Sequence, residues 1–223
     1  MIKYFSNKSQ PIKQQTEKTM PKNECGLCPA NCKINRAEKA GACGEKNVMR
    51  IAKFYPHMFE EPPISGKNGS GTIFFTGCSL RCVFCQNYSL SRSERGKEIT
   101  PRELADIFRK LEDMSVHNIN LVTPTHFVPE IAEAFEIYRP KIPVVYNTHS
   151  YETIKTLEII DPYVDIYLPD LKFYSPEISK RYTGKADYFA VAEKAITFMM
   201  NSKKTEFFES GMMKGGVIVR HMI

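Results

Sequence analysis

The chain has 223 residues, of which 42% are hydrophobic, and a formal net charge of +6. That length can bury one sizeable core or two small ones, and the charge is too modest to make a nucleic-acid partner the expectation. No apolar run reaches a membrane span and no apolar signal region opens the chain, so a cytoplasmic protein with no membrane partner is expected.

Residues 1–23 read as a flexible basic leader in which Lys3, Lys8, Lys13, Lys18 and Lys22 face only Glu17. No basic–aromatic platform follows it, as a single-stranded nucleic acid would want. Cys25, Cys28, Cys32 and Cys43 come next, a C-x2-C-x3-C-x10-C set with glycines at its turns. Seven cysteines in two tight groups of a cytosolic chain point to metal rather than disulfides. Zinc and an iron–sulfur cluster both fit this second site, and free buried thiols are the bland alternative. Residues 24–46 hold few large apolar groups, chiefly Leu27 and Ile34. Ordering their backbone costs on the order of 1–2 kcal/mol per residue, which a bound metal can offset. Residues 24–70 are read as this cysteine-rich module plus a connector; His57, Glu60 and Glu61 could serve as ligands or acid–base groups, but the spacing favours polar surface residues in a Pro/Gly loop.

From Gly71 onward strands and helices alternate, which argues for an α/β architecture with parallel strands. The apolar run Thr72–Thr76 reads as a buried strand that delivers Gly77-Cys78-Ser79-Leu80-Arg81-Cys82-Val83-Phe84-Cys85. A helix over Thr100–Met114 is announced by Thr100 as N-cap, Pro101 at N1 and Glu103 closing a capping box. Then come a strand at Ile119–Val122, a helix at about Pro129–Arg139 and a strand at Val144–Asn147. A helix at about Tyr151–Ile160 capped by Ser150 follows, then a strand at Val164–Leu168. Helices at about Pro176–Tyr182 and Asp187–Asn201 and a strand at Val217–His221 complete the pattern. Polar residues collect at the strand ends: Thr123 to His126, Asn147 to His149, Asp170 with Lys172, and Arg220 with His221. In parallel α/β barrels the C-terminal strand ends build the active site. Taken singly, Thr125 or Ser150 could be a plain cap, and Asp170 with Lys172 a surface ion pair.

Cys78, Cys82 and Cys85 form a C-x3-C-x2-C loop whose local thiol count stops at three. A closed zinc site or an ordinary cluster wants four, so either a fourth ligand comes from elsewhere or one metal position stays open. The loop, with Phe84 in its aromatic slot, resembles the radical S-adenosylmethionine (SAM) superfamily. That resemblance implies a [4Fe–4S] cluster on Cys78, Cys82 and Cys85, its fourth iron chelated by SAM. From Gly71 to His221 the chain resembles the activating enzymes of glycyl-radical enzymes, typified by the pyruvate formate-lyase activase. Across its whole length it resembles a poorly characterised activase-like branch with an N-terminal four-cysteine motif.

The resemblance implies a partial (β/α) barrel over residues 71–223 and reductive cleavage of SAM to a 5′-deoxyadenosyl radical that abstracts hydrogen. It implies a SAM pocket of Phe84, Thr123, Thr125, Asn147, Thr148, Asp170, Lys172 and Arg220, with Lys172 meeting the SAM carboxylate. It further implies a flavodoxin- or ferredoxin-type reductant and a glycyl-radical protein as the hydrogen donor. Where the family carries Gly-Gly-Glu, this chain has Thr123-Pro124-Thr125, so hydroxyl and carbonyl oxygens replace a carboxylate. The family continues past the strand that ends here at Met222-Ile223, so a C-terminally incomplete barrel with an exposed edge is expected. Two other classes stand beside this reading. An iron–sulfur carrier or sensor would neither bind nor cleave SAM, and a zinc-stabilised interaction module would give no iron chromophore on anaerobic reconstitution.

Overall fold

The computed structural model describes residues 24–92 and 96–221. The basic leader and the last two residues lie outside them.

The elements run β1 (Arg50–His57), α1 (Pro62–Ser65), β2 (Ser70–Phe75), α2 (Tyr88–Ser91), β3 (Lys97–Glu98), α3 (Pro101–Asp113), β4 (Ile119–Val122), α4 (Val128–Ile137) and β5 (Val144–Thr148). Then follow α5 (Ile154–Ile160), β6 (Ile166–Leu171), α6 (Pro176–Thr183), α7 (Tyr188–Ser202), β7 (Glu206–Phe207), β8 (Met213–Val217) and β9 (Arg220–His221). They build one open sheet in the order β3-β1-β2-β4-β5-β6-β8-β7, with β9 extending the pairing along β6. The pairs β2·β4, β4·β5, β5·β6, β6·β8 and β6·β9 are parallel. Alternation of strand and helix had implied this, because only a crossover helix can return the chain for parallel pairing.

Local signals set several elements. Helix α3 starts as expected, with Thr100 Oγ1 accepting from the Glu103 N–H and Glu103 returning a bond to the Thr100 N–H. Helix α6 has Ser175 accepting from the Ile178 N–H, and it ends at Gly184 in the left-handed conformation (φ 75°) that glycine adopts without strain. The helices' apolar faces pack on one side of the sheet, where Leu104, Phe108, Ile131, Phe135, Leu157 and Met199 meet Ile73, Leu121 and Tyr146.

Four expectations need correction. The connector contains strand β1, which pairs antiparallel with β2 from Ile51↔Phe75 to His57↔Ser70. Beyond it, α1 is not a surface loop: Ile64 is fully buried against Val145, Ile166, Leu168 and Met213 on the concave face of the sheet. Ser150 does not cap α5, because it sits at φ 64° and the helix begins later, with Thr153 accepting from the Thr156 N–H. The last strand is two pieces, β8 and β9, and β7 pairs antiparallel with β8, so the edge after β8 is covered over a short stretch. Among the described residues no helix is long and apolar enough to cross a membrane.

Ile64 is the test of the covered concave face. Ile64→Ala should lower stability by about 2–5 kcal/mol in denaturant titration. A loss below about 1 kcal/mol would mean that α1 does not pack on the sheet.

Candidate active site

The loop after β2 is shaped by one close approach. Gly77 has φ 74°, and a Cβ there would meet the Glu45 side chain at 2.5 Å and the Cys43 carbonyl oxygen at 2.9 Å. Only glycine satisfies both the backbone angle and the space. The next residue, Cys78, then donates its N–H to the Cys43 carbonyl at 3.0 Å. Arg81, at φ 54°, donates its own N–H to Cys78 Sγ at 3.5 Å and its guanidinium to the Ala42 carbonyl at 3.4 Å. Leu80 anchors the loop by burying itself with Tyr151, Tyr188 and Ala192.

This turn brings the three thiols together. Cys82 lies within electrostatic reach of Cys78, Cys85 and the Lys172 ammonium, and Cys78 of Cys85 and Lys172. Burial pushes the Cys82 thiol up to about 12 and raises Cys78 as well. Thiols this buried ionise only against a strong cation, and a metal centre is such a cation. The three-thiol set, half-open at Cys85, therefore suits an iron–sulfur cluster. Phe84 stands beside it, edge-on to Phe173 and Tyr182 at ring distances of 5.8 Å and 5.9 Å. A cleft lined by Phe74, Cys78, Cys85, Asn87, Val122 and Thr123 opens next to the loop.

Four of the expected pocket residues meet in one ionic network. Arg220, from β9, donates Nε to Asp170 at 2.7 Å and a terminal nitrogen to Asn147 Oδ1 at 2.6 Å. Asp170 also accepts from Lys172 Nζ at 2.6 Å. Tyr188 holds this strand end in place, accepting from the Lys172 N–H and lying 2.8 Å from the Asp170 carbonyl. Asp170 and Lys172 are thus a partly buried pair rather than a surface one.

The network has a member that the sequence reading set aside as a surface residue. Glu60 lies 3.4 Å from both Arg220 and Asn147, and burial raises its carboxyl despite the facing guanidinium. It arrives there in the turn between β1 and α1, where Ile64 packs the following residues onto Val145, Ile166 and Leu168 of the sheet. Its sequence signal was weak, because nothing in the spacing set Glu60 apart from His57 and Glu61. Glu61 is a more distant contact of the same guanidinium, at 3.8 Å.

The remaining expected residues are placed differently. Thr123 occupies φ 55°, costly for a β-branched residue, and its N–H bonds the Asn147 carbonyl at 2.8 Å. Thr125 and Thr148 are buried, and both hydroxyls donate to one oxygen of Glu152, at 2.6 Å and 2.5 Å. They brace the strand ends from behind. His149 was noted only as a strand-end residue. Its Nδ1 accepts from the Tyr151 N–H, which leaves Nε2–H to donate to Ser79 Oγ at 3.0 Å, and burial lowers its pKa to about 4.

The four N-terminal cysteines lie against this site. Thr156 donates its hydroxyl to the Leu27 carbonyl at 2.6 Å. Arg36 is buried and donates to the carbonyls of His126 (2.5 Å), Glu45 (3.4 Å) and Lys46, with its guanidinium over the Phe127 ring. One guanidinium thus ties the cysteine segment to the end of β4. Among the described residues, no three Cys, His, Asp or Glu side chains converge as a cage for a single ion.

Similarity to known proteins agrees with this geometry. A family model described as the radical SAM superfamily matches residues 72–213. An uncharacterized protein of Methanocaldococcus jannaschii is 29% identical over 231 aligned positions, which cover all of this chain and 63% of that protein. The chain therefore spans less than two thirds of that relative's length.

Glu152 gives this site a pH signature. Burial raises its carboxyl from 4.5 to about 7. The folded chain then holds a proton that the unfolded chain has released, so stability falls as pH rises from 4.5 to about 7. Glu152→Gln keeps an acceptor for both threonines, and denaturant titrations across this pH range should show a flatter stability profile than the parent's. A variant with the parent's slope would assign the effect to another group.

Proposed function

Because the chain belongs to the radical SAM superfamily, we propose that Cys78, Cys82 and Cys85 hold a [4Fe–4S] cluster at which SAM is cleaved reductively. When bound, that cluster and SAM supply one-electron cleavage of the sulfonium to methionine and a 5′-deoxyadenosyl radical, which takes a hydrogen atom from a substrate. The observation that carries the reading is the meeting of three thiols, two of them buried, with the Lys172–Asp170–Arg220–Asn147 network at the strand ends.

The chain's own groups have distinct roles. Lys172 is a compact point charge aimed at the thiol loop, suited to the carboxylate of an amino acid. Asp170 holds that ammonium in place, and Arg220 in turn fixes Asp170 and the Asn147 amide. Phe84 and the cleft beside Thr123 offer an apolar wall of the kind an adenine ring takes. Glu60 supplies a carboxylate in the same network, on a chain that lacks one at Thr123-Pro124-Thr125. Its place beside Asn147 suits the amino group of the same amino acid.

The finer reading is an activase-like enzyme of the cytoplasm. A flavodoxin- or ferredoxin-type protein reduces it, and a glycyl-radical protein gives up the hydrogen atom. It rests on the sequence resemblance described above. The segments proposed are a leader at 1–23, a cysteine-rich module and connector at 24–70, and the radical SAM core at 71–223.

Two substitutions test the assignment after anaerobic reconstitution. Cys82→Ala should abolish 5′-deoxyadenosine formation under dithionite and lower bound iron; full cleavage with the cluster intact would overturn the site. Lys172→Ala should weaken SAM binding about tenfold or more, about 1.4 kcal/mol, with iron content unchanged. Equal loss of iron and SAM would assign Lys172 to folding instead.

A further inference from the structure

Residues 24–49 form no helix and no strand until the last of them meets β1. The backbone is turned by Asn31 (φ 40°), Lys33 (φ 49°) and Gly44 (φ 90°), and crossed by bonds such as Cys25 N–H to Ile34 O at 2.9 Å. The turns bring all four thiols to one place. A Cβ on Gly41 would touch Cys32 Sγ and Cys43 Sγ at 3.5 Å each. Cys25 lies within electrostatic reach of Cys32, and Cys28 of Cys43 and Cys25. Apart from these thiols, Leu27 is the buried apolar side chain of the segment up to residue 46. A polar segment without regular structure, folded around four sulfurs, has the composition of a metal-held module.

The second observation is its neighbour. The carbonyl of Cys43 is the acceptor of the Cys78 N–H, and Arg81, inside the three-cysteine loop, donates to Ala42. A residue of each thiol set is therefore joined by one hydrogen bond. The N-terminal set reaches the surface at Cys25 and Cys32, as the loop does at Cys85, while Cys28, Cys43, Cys78 and Cys82 are buried.

We propose that Cys25, Cys28, Cys32 and Cys43 hold a second iron–sulfur centre, coupled to the Cys78 loop through the Cys43 carbonyl and the Cys78 amide. Four thiolates complete a cluster with no open iron, and zinc is the competing occupant that the metal count separates. The coupling rests on the reading of the Cys78 loop as a cluster site; the existence of the N-terminal centre does not. The centre gives an electron a point of entry. A low-potential one-electron carrier is oxidised by one electron there, and that electron passes across the shared wall to the Cys78 loop.

The test compares three full-length proteins after anaerobic reconstitution with iron and sulfide. The parent should bind about eight irons; the variant with all four N-terminal cysteines changed to Ser, and the variant with Cys78, Cys82 and Cys85 changed to Ser, about four each. After dithionite, electron paramagnetic resonance of the parent should show spin–spin splitting that is absent from both variants. The three-cysteine variant keeps the proposal testable even if the four-cysteine variant fails to fold. One zinc per chain in place of its four irons would overturn the second cluster, as would an iron-free three-cysteine variant. Two unsplit signals in the parent would overturn the coupling. Loss of iron from the four-cysteine variant alone would break the three-cysteine assignment and leave the N-terminal centre standing.

Discussion

Parallel pairing puts the C-terminal ends of β2, β4, β5, β6 and the β8–β9 strand on one side of the sheet, because each crossover helix returns the chain to the same starting edge. The three-cysteine loop and most of the ionic network lie on that side. The three-cysteine loop leaves β2, Asn147 ends β5, Asp170 and Lys172 end β6, and Arg220 opens β9. None of these residues is near another in sequence beyond its own loop. The register places Asp170 opposite Arg220 and Val122 opposite Asn147. The ionic network is thus a direct reading of strand alignment.

The charges in that network are arranged so that none is isolated. Lys172 and Arg220 both face Asp170, and Glu60 is offset by Arg220 and by the Asn147 amide. Partly buried charges are tolerated only in such company. Lys172 also faces the thiols, so its charge serves two neighbours at once. Behind the strand ends lies a second layer, in which Glu152 gathers Thr125, Thr148 and Tyr146. That layer is fully buried and holds the loops in strained angles at Thr123 and Ser150.

The cysteine segment is the third part of the same construction. It covers the ends of β2 and β4 and is fastened by backbone carbonyls: Leu27 O to Thr156, Cys43 O to Cys78, and the carbonyls gathered by Arg36. Apart from Arg36, whose guanidinium reaches the His126 carbonyl, these bonds use the segment's backbone rather than its side chains. Its cysteines are therefore free of any role in fastening it and can all serve a metal.

The sequence by itself determined most of the long helices and strands after Gly71, the three-cysteine loop with its aromatic, and the superfamily, because those signals are local. Period, caps and spacing are written within a dozen residues, as in Thr100-Pro101 with Glu103 or in Cys78 to Cys85. It also supplied Asn147, Asp170, Lys172 and Arg220 as strand-end residues, since position after a strand is local as well. Only the tertiary structure decided that these four share one network and that Glu60 joins them. It alone turned the connector into β1 and laid Ile64 under the sheet, and it alone set Cys43 against Cys78. Each of these depends on contacts between residues far apart in the chain. The Pro/Gly signal of a loop says where the chain turns, while the surface it turns against is chosen by burial and by which partner satisfies its charge.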